Sequence, residues 1–103
     1  MELRETRRYA EWFARLRDRR AKARIDARLR RFSVGNPGDV KSVGGGVQEL
    51  RIDYGPGYRV YFGKDVAHVV ILLGGGTKKR QNRDIWTAQG LWTTYKARKQ
   101  QER

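Results

Sequence analysis

The sequence predicts an α+β domain in which two N-terminal helices pack on a small antiparallel sheet, with a further helix at the C-terminal end. Apolar residues recur every three to four positions over the first third of the chain, and they alternate with polar residues from Val47 onward. The chain has 103 residues, enough for one domain and too few for two. We therefore expect a single domain over residues 1–95 and a basic tail over residues 96–103.

Two apolar stripes predict the first two helices. Each stripe follows a residue of a type preferred at the N-cap, Thr6 for the first and Asp18 for the second. The first stripe comprises Tyr9, Trp12, Phe13 and Leu16, and the second comprises Ala21, Ile25, Leu29 and Phe32. Because only a short link separates them, the two helices should form an αα-hairpin.

Three strands are predicted to follow as an antiparallel meander. Glycines and a proline between Gly35 and Gly46 indicate a loop of about a dozen residues before the first strand. Alternating residues then place the strands at Val47–Tyr54, Tyr58–Phe62 and Val66–Leu73, with the last turn at residues 63–65. A stub at Glu2–Arg4 is a candidate edge strand.

The C-terminal third contains a third glycine cluster and one more apolar stripe. Gly74–Gly76 are expected to form a plain loop that leads into the polar segment TKKRQNRD. The residues with helical spacing after it are Ile85, Ala88, Trp92 and Tyr95. Residues 96–103 include one apolar side chain, which predicts a frayed helix or a disordered tail.

The composition points to an anionic partner and excludes several kinds of site. Lys and Arg number 24 against 11 Asp and Glu, a formal net charge of +13. Without cysteine there are no disulfides, Cys-based zinc sites or thiol nucleophiles, and neither nucleotide-binding glycine motif fits. No metal or cofactor is expected. The charged N-terminal segment and the lack of a long apolar run predict a soluble cytoplasmic protein that does not associate with a membrane.

A set of polar side chains is the candidate site. Alternation places the strand members on the face opposite the helical hairpin, where they should be exposed. The members are Glu49, Arg51, Arg59 and Tyr61 on the strands, and Lys78, Lys79 and Arg80 in the loop beyond them. RNA cleavage by the neighbouring 2′-hydroxyl needs a base, an acid and cations that stabilise the phosphorane, so this set predicts an anion site with acid/base candidates.

The order of these segments resembles the RelE/ParE superfamily of bacterial toxins, and within it the HigB-like "addiction module killer" group. The segments that carry the resemblance are ELRIDYGPGYRVYF and GGGTKKRQNRDI, and the similarity runs from about Arg4 to Leu91. The resemblance implies a RelE-like fold and the role of toxin in a type II toxin-antitoxin system. It also implies neutralisation by an antitoxin, encoded in our expectation by the adjacent gene, and ribosome-dependent cleavage of mRNA without a metal.

The resemblance also implies roles for individual residues. Arg59 falls where these toxins place the sheet arginine that contacts the scissile phosphate, and Arg51 matches an outward basic position on the preceding strand. Glu49 is a candidate base, or a partner that holds the arginines in place. Lys78 and Arg80 are candidate catalytic phosphate contacts in the basic loop.

Lys79, Tyr61 and Trp86 are the candidate substrate-binding residues, the two aromatic ones by stacking on bases. Trp86 stands about where RelE itself has a tyrosine. Members of the killer group often read GGDKS in the basic loop, whereas this chain has Thr77 in place of the acid. An aspartate acting as acid or base at that position is therefore absent.

Two other functions stay open at the level of sequence. The same superfamily includes ParE-like proteins that inhibit DNA gyrase by binding alone, and an inactive relative would bind RNA without cutting it. The outward arginines also have a purely structural interpretation, because Arg59 could form a cross-strand ion pair with Glu49 or Asp53. Lys78, Lys79 and Arg80 could equally be a solvated loop.

Overall fold

A five-stranded sheet, in the order β1-β5-β4-β3-β2, divides the molecule. The computed structural model describes residues 1–102. Strand β1 is parallel to β5 and the other neighbours are antiparallel. The elements are β1 (Glu2–Glu5), α1 (Arg7–Arg15), α2 (Arg19–Ser33), β2 (Val40–Gly44), β3 (Val47–Ile52), β4 (Tyr58–Val66), β5 (Val69–Thr77), a 3-10 turn (Lys78–Arg80) and α3 (Gln81–Gln101). The α+β class, the meander and the N-terminal edge strand are confirmed.

Each face of the sheet carries its own apolar core. Helices α1 and α2 contribute to the first core, in which Phe32 packs edge-on against Phe62 with ring centroids 4.8 Å apart. Helix α3 covers the opposite face through Ala88 and Trp92. The face on which the polar site was expected to be open is therefore a buried layer.

Both predicted N-caps are confirmed. The Thr6 hydroxyl accepts a hydrogen bond from the Tyr9 amide, and the Asp18 carboxylate accepts from the amides of Arg20 and Ala21. These side chains satisfy donors that the first helical turn leaves unpaired. The Thr6 hydroxyl also donates to the Leu72 carbonyl at 2.7 Å, which fixes the start of α1 on β5.

The prediction of a long loop between Gly35 and Gly46 is wrong in its second half, where strand β2 pairs with β3. Gly45 and Gly46 form a two-residue turn with φ of +63° and +83°. Such turns require positive φ and match the twist of the flanking strands. The glycines here close a hairpin instead of extending a loop.

The predicted turn at residues 63–65 and the predicted loop at Gly74–Gly76 are also wrong, because both segments lie inside strands. The true turn between β4 and β5 is at residues 67–68. A Cβ at Gly63 would lie 2.6 Å from the Trp92 ring, and one at Gly75 would collide with Trp12. Glycine is needed at these positions because tryptophan rings pack directly on the backbone.

Helix α3 continues well beyond the predicted end of the domain. Its distal half is attached to β4 by Asp65, which accepts a hydrogen bond from the Tyr95 hydroxyl at 2.7 Å and pairs with Lys99. Residues 96–101 are thus helical, and Arg103 lies outside the described residues. Among residues 1–102 no helix combines the length and apolar character needed to span a membrane.

Candidate anion-binding site

The candidate site is built around Glu49, on the sheet face that α3 covers. In the register of β3 and β4, Glu49 pairs with Tyr61 and Arg51 with Arg59. Since these four residues alternate with core residues of the opposite face, the pleat directs all of them toward α3. The four strand residues thus share the face opposite the helical hairpin, as strand alternation predicts.

Glu49 is buried and surrounded by donors. Arg51 Nε donates to Glu49 Oε1 at 3.0 Å, and Gln81 Nε2 donates to Glu49 Oε2 at 2.8 Å. Arg59 Nε lies 3.7 Å from Oε2, within range of charge attraction but too far for a hydrogen bond. A carboxylate with no exposed side-chain surface cannot reach a substrate proton in this conformation. Glu49 is placed as the partner that holds the two arginines.

Sequence reasoning missed Gln81. It is the first residue of α3, and its amide connects this helix to the centre of the sheet. The available signal was its position in the polar segment TKKRQNRD, directly after the three candidate cations.

Arg59 and the loop after β5 meet at Gly57. The Gly57 carbonyl accepts hydrogen bonds from Arg59 Nη1 at 2.8 Å and from the Lys78 amide at 2.9 Å. The sheet arginine therefore lies beside the basic turn, as the sequence predicts. Its side chain is 10% exposed and that of Arg51 is 33% exposed, so the two guanidiniums reach the surface only at the edge of α3.

Tyr61 was expected to be exposed, and this is wrong. It is 1% exposed and belongs to the apolar core beneath α3. Burial raises the pKa of the Tyr61 phenol, and the negative charges of Glu49 and Asp84 raise it further. Tyr61 cannot stack on a base while α3 lies in this position.

Lys78, Lys79 and Arg80 are exposed, and Trp86 is 77% exposed one turn and a half farther along. Helix α3 begins directly after these cations, and no side chain caps its N-terminus. The N-terminal end of the helix dipole adds partial positive charge to that of the side chains. The residues Glu49, Arg51, Arg59 and Gln81 are referred to below as the Glu49 cluster. Trp86 is open to solvent and is not part of this cluster.

Chemically, the arrangement is a source of positive charge at the end of a sheet. Glu49 holds the two arginines, the 3-10 turn adds three exposed cations, and the neighbouring helix start attracts anions. Preorganised donors of this kind stabilise negative charge that develops in a transition state. The carboxylate and the phenol that the sequence offered as acid and base are both buried.

Fold and site together define a small basic α+β protein with cationic side chains grouped at one end of its sheet. Comparison with known families then places the chain: residues 11–99 match the family described as "Phage derived protein Gp49-like (DUF891)", and the chain belongs to that family. The Gp49-like family is related to the RelE/HigB-type toxins. A similar protein from Haemophilus influenzae (strain ATCC 51907 / DSM 11121 / KW20 / Rd), named only "Uncharacterized protein", is 46% identical over 91 residues, which are 88% of this chain and 92% of the relative.

Proposed function

We propose that this protein is the toxin of a type II toxin-antitoxin system and cleaves mRNA on the ribosome, in the cytoplasm. The observation that carries the proposal is that the Gly57 carbonyl accepts hydrogen bonds from the Arg59 guanidinium and from the backbone amide of Lys78, which brings the sheet arginine to the start of the basic turn Lys78–Arg80. Convergent cations are what a phosphorane requires. The family relationship to RelE/HigB-type toxins supports the same function.

In the proposed reaction a solvent water molecule accepts the proton of the substrate's 2′-hydroxyl, and the 2′-oxygen attacks the adjacent phosphorus. The bond from phosphorus to the 5′-oxygen breaks, and that oxygen takes up a proton, which leaves a 2′,3′-cyclic phosphate and a 5′-hydroxyl. Arg59, Arg51 and Arg80 would stabilise the phosphorane charge, and the Lys78 ammonium would protonate the departing oxygen. Lys79 and Trp86 would hold the flanking nucleotides.

The strongly positive charge of the chain suggests two partners, rRNA and an antitoxin. A chain of +13 should bind rRNA through phosphates, and an antitoxin should neutralise the basic edge with an acidic segment. We assign both partners as part of the proposal.

The test compares Lys78→Ala and Arg80→Ala with the exposed control Arg19→Ala in a translating lysate that contains defined mRNA. Loss of a transition-state donor should reduce the rate of cleavage by about 10²–10³-fold, while the control should cut normally. Arg59→Ala is included with circular dichroism as a check of folding. Normal cleavage by all three site variants would contradict the proposal.

Burial of Glu49 and Tyr61 favours one alternative, an RNA-binding relative that does not cleave. That protein would bind ribosomes in the same lysate and leave every mRNA intact. A supercoiling assay beside it detects a ParE-like gyrase inhibitor, for which lost supercoiling and intact mRNA are expected.

A further inference from the structure

A basic cleft lies between α1 and the start of α3, beside the Glu49 cluster. It has a volume of about 390 Å³, and its floor is the backbone of Gly75 and Gly76. Its charged and aromatic walls comprise Arg8, Glu11, Trp12 and Arg15 on α1, and Arg80, Arg83 and Asp84 at the start of α3. Only Arg80 among these belonged to the site predicted from sequence.

The four arginines of this cleft are free to bind an anion. Arg8, Arg15, Arg80 and Arg83 are all exposed, and none of them forms an ion pair or a side-chain hydrogen bond within residues 1–102. Glu11 is engaged by Arg7 at 2.9 Å. The cleft therefore holds more positive charge than its own carboxylates balance.

Helical spacing explains why these side chains meet. Arg8 and Arg15 are seven residues apart on α1, with Trp12 between them, and Arg83 is one turn beyond Arg80. A Cβ at Gly75 would collide with Trp12, and one at Gly76 with the Asp84 carboxylate. The glycines thus allow both helices to approach β5 and form the walls.

The floor also offers backbone to a ligand. Strand β1 pairs with β5 only from Val69 to Leu72, so no described strand covers the outer edge of β5 beyond that point. Gly76 is the register partner of Arg59 on β4. Register partners are about 4.5–5.5 Å apart between Cα atoms, so the cleft and the Glu49 cluster are adjacent.

Asp84 is the one carboxylate in the cleft that has no ion pair within the described residues. Burial raises its pKa, and the charges of Arg80, Arg8 and Arg83 oppose that rise. Because it is packed on Gly76, the carboxylate lies at the base of the cleft, and the guanidiniums extend from the walls above it.

We propose that this cleft binds the phosphodiester backbone of single-stranded RNA, with Arg8 and Arg83 as contacts to successive phosphates and Trp12 as part of the wall. The choice of RNA as ligand rests on the proposed function. A strand that crosses the cleft continues directly to Arg59 and Lys78, so the cleft would align the substrate with the site of cleavage.

The experiment measures binding of a short 2′-O-methyl RNA oligonucleotide by fluorescence anisotropy over a range of salt concentrations. This probe has no free 2′-hydroxyl, so binding is observed without cleavage. The test variant is Arg8→Gln/Arg83→Gln and the control is Arg19→Gln/Arg20→Gln, which removes the same charge from exposed positions on α2. Amide shifts of Gly75 and Gly76 in the 15N-labelled wild-type protein give a second readout that needs no variant.

We expect the test variant to bind about tenfold more weakly or worse, and its salt slope to fall by about 1.4, for two lost phosphate contacts. The control should change little, and the two glycine amides should shift on titration. Equal weakening of both variants, or unmoved glycine amides, would overturn the proposal. Poly-glutamate is titrated in parallel as a model of an acidic protein segment. If the test variant loses binding of poly-glutamate and still binds RNA normally, the cleft would be assigned to an acidic protein segment and the proposal would also be overturned.

The result is separable from the fate of the proposed function. If the oligonucleotide binds in the cleft and the mRNA in the lysate stays intact, the proposal of RNA binding by the cleft would stand and the proposal of mRNA cleavage would be rejected. If the wild-type protein cleaves mRNA and the test variant binds the oligonucleotide as well as wild type does, mRNA cleavage would stand and RNA binding by the cleft would be rejected.

Discussion

Glu49 is the residue on which the geometry of the candidate site depends. It has no exposed side-chain surface, and it accepts hydrogen bonds from Arg51 on its own strand and from Gln81 on α3, while Arg59 of β4 lies 3.7 Å away. In the proposed reaction a carboxylate so enclosed would act only through the arginines it positions. Removing it would leave two guanidiniums without their partner in a partly dry site.

Glu49→Ala should therefore lower the free energy of unfolding by about 3 kcal/mol, measured by urea denaturation. The matched control is Glu11→Ala, which removes an exposed ion pair with Arg7 and should cost no more than about 0.5 kcal/mol. Similar losses in both variants would show that the Glu49 cluster contributes no more than a surface pair.

Glycine positions provide a second test at the scale of single residues. Gly63→Ala would place a methyl group 2.6 Å from the Trp92 ring and should destabilise the protein by about 1–3 kcal/mol. Gly90→Ala, on the exposed side of α3 with open space around it, should stabilise by about 1 kcal/mol. Thermal melts of the two variants should move in opposite directions, and a Gly63 variant as stable as wild type would refute the close packing.

At the scale of elements, Asp65 attaches the distal part of α3 to β4. Its pKa is lowered below the ordinary value of 3.8 by the hydrogen bond from Lys99 and then by that from Tyr95, with Arg4 also contributing. A depressed carboxyl pKa means that the folded state favours the ionised form. The stabilisation is thus complete above pH 3.8 and is lost as the pH falls through the folded-state pKa.

Asp65→Asn should accordingly be less stable than wild type at pH 7, and the difference should shrink as the pH is lowered below about 4. Urea denaturation of both proteins between pH 7 and pH 2.5 measures this convergence. A difference independent of pH would show that the contribution of Asp65 does not depend on its charge.

The helices, the meander and the N-terminal strand follow from periodicity and capping residues, which act locally. The glycine segments misled because a glycine permits a turn and also permits close packing, and only the fold decides which applies. Gly63 and Gly75 are defined by Trp92 and Trp12, which are remote in sequence. Local pattern contains no information on such contacts.

The candidate site was predictable to a similar degree. Strand alternation identifies the face of Glu49, Arg51 and Arg59, but it says nothing about what lies above that face. The cover provided by α3 depends on where a helix of low amphipathicity docks, so the burial of Tyr61 and the role of Gln81 were out of reach. The basic cleft between α1 and α3 was not predicted, because its two walls come from segments that are remote in sequence.

For the molecule as a whole, the central sheet joins two cores that neither set of helices could maintain alone. Trp12 packs on the side of α1 and Trp92 on the side of α3. Because the same strands supply both cores, loss of either side should expose the backbone of the other. Unfolding should be a single cooperative transition.

Variants that retain either the half-buried Trp12 or the buried Trp92, with the other tryptophans replaced by phenylalanine, test this expectation. For each variant, the urea transition followed by tryptophan fluorescence is compared with the transition followed by far-UV circular dichroism. Stability changes caused by the replacements affect both transitions equally. Fluorescence and circular dichroism should give the same midpoint in each variant. An earlier fluorescence transition in one of them would show that its side of the sheet unfolds separately.

The pairing of β1 with β5 has a consequence for the timing of synthesis. Glu2 is made before its partner Val69, which follows only after several seconds of elongation at ordinary rates. Gln81, which completes the shell around Glu49, comes later still. In a nascent chain the outer strand can therefore pair only after β5 has been made, and the shell around Glu49 is complete only after Gln81 has been made.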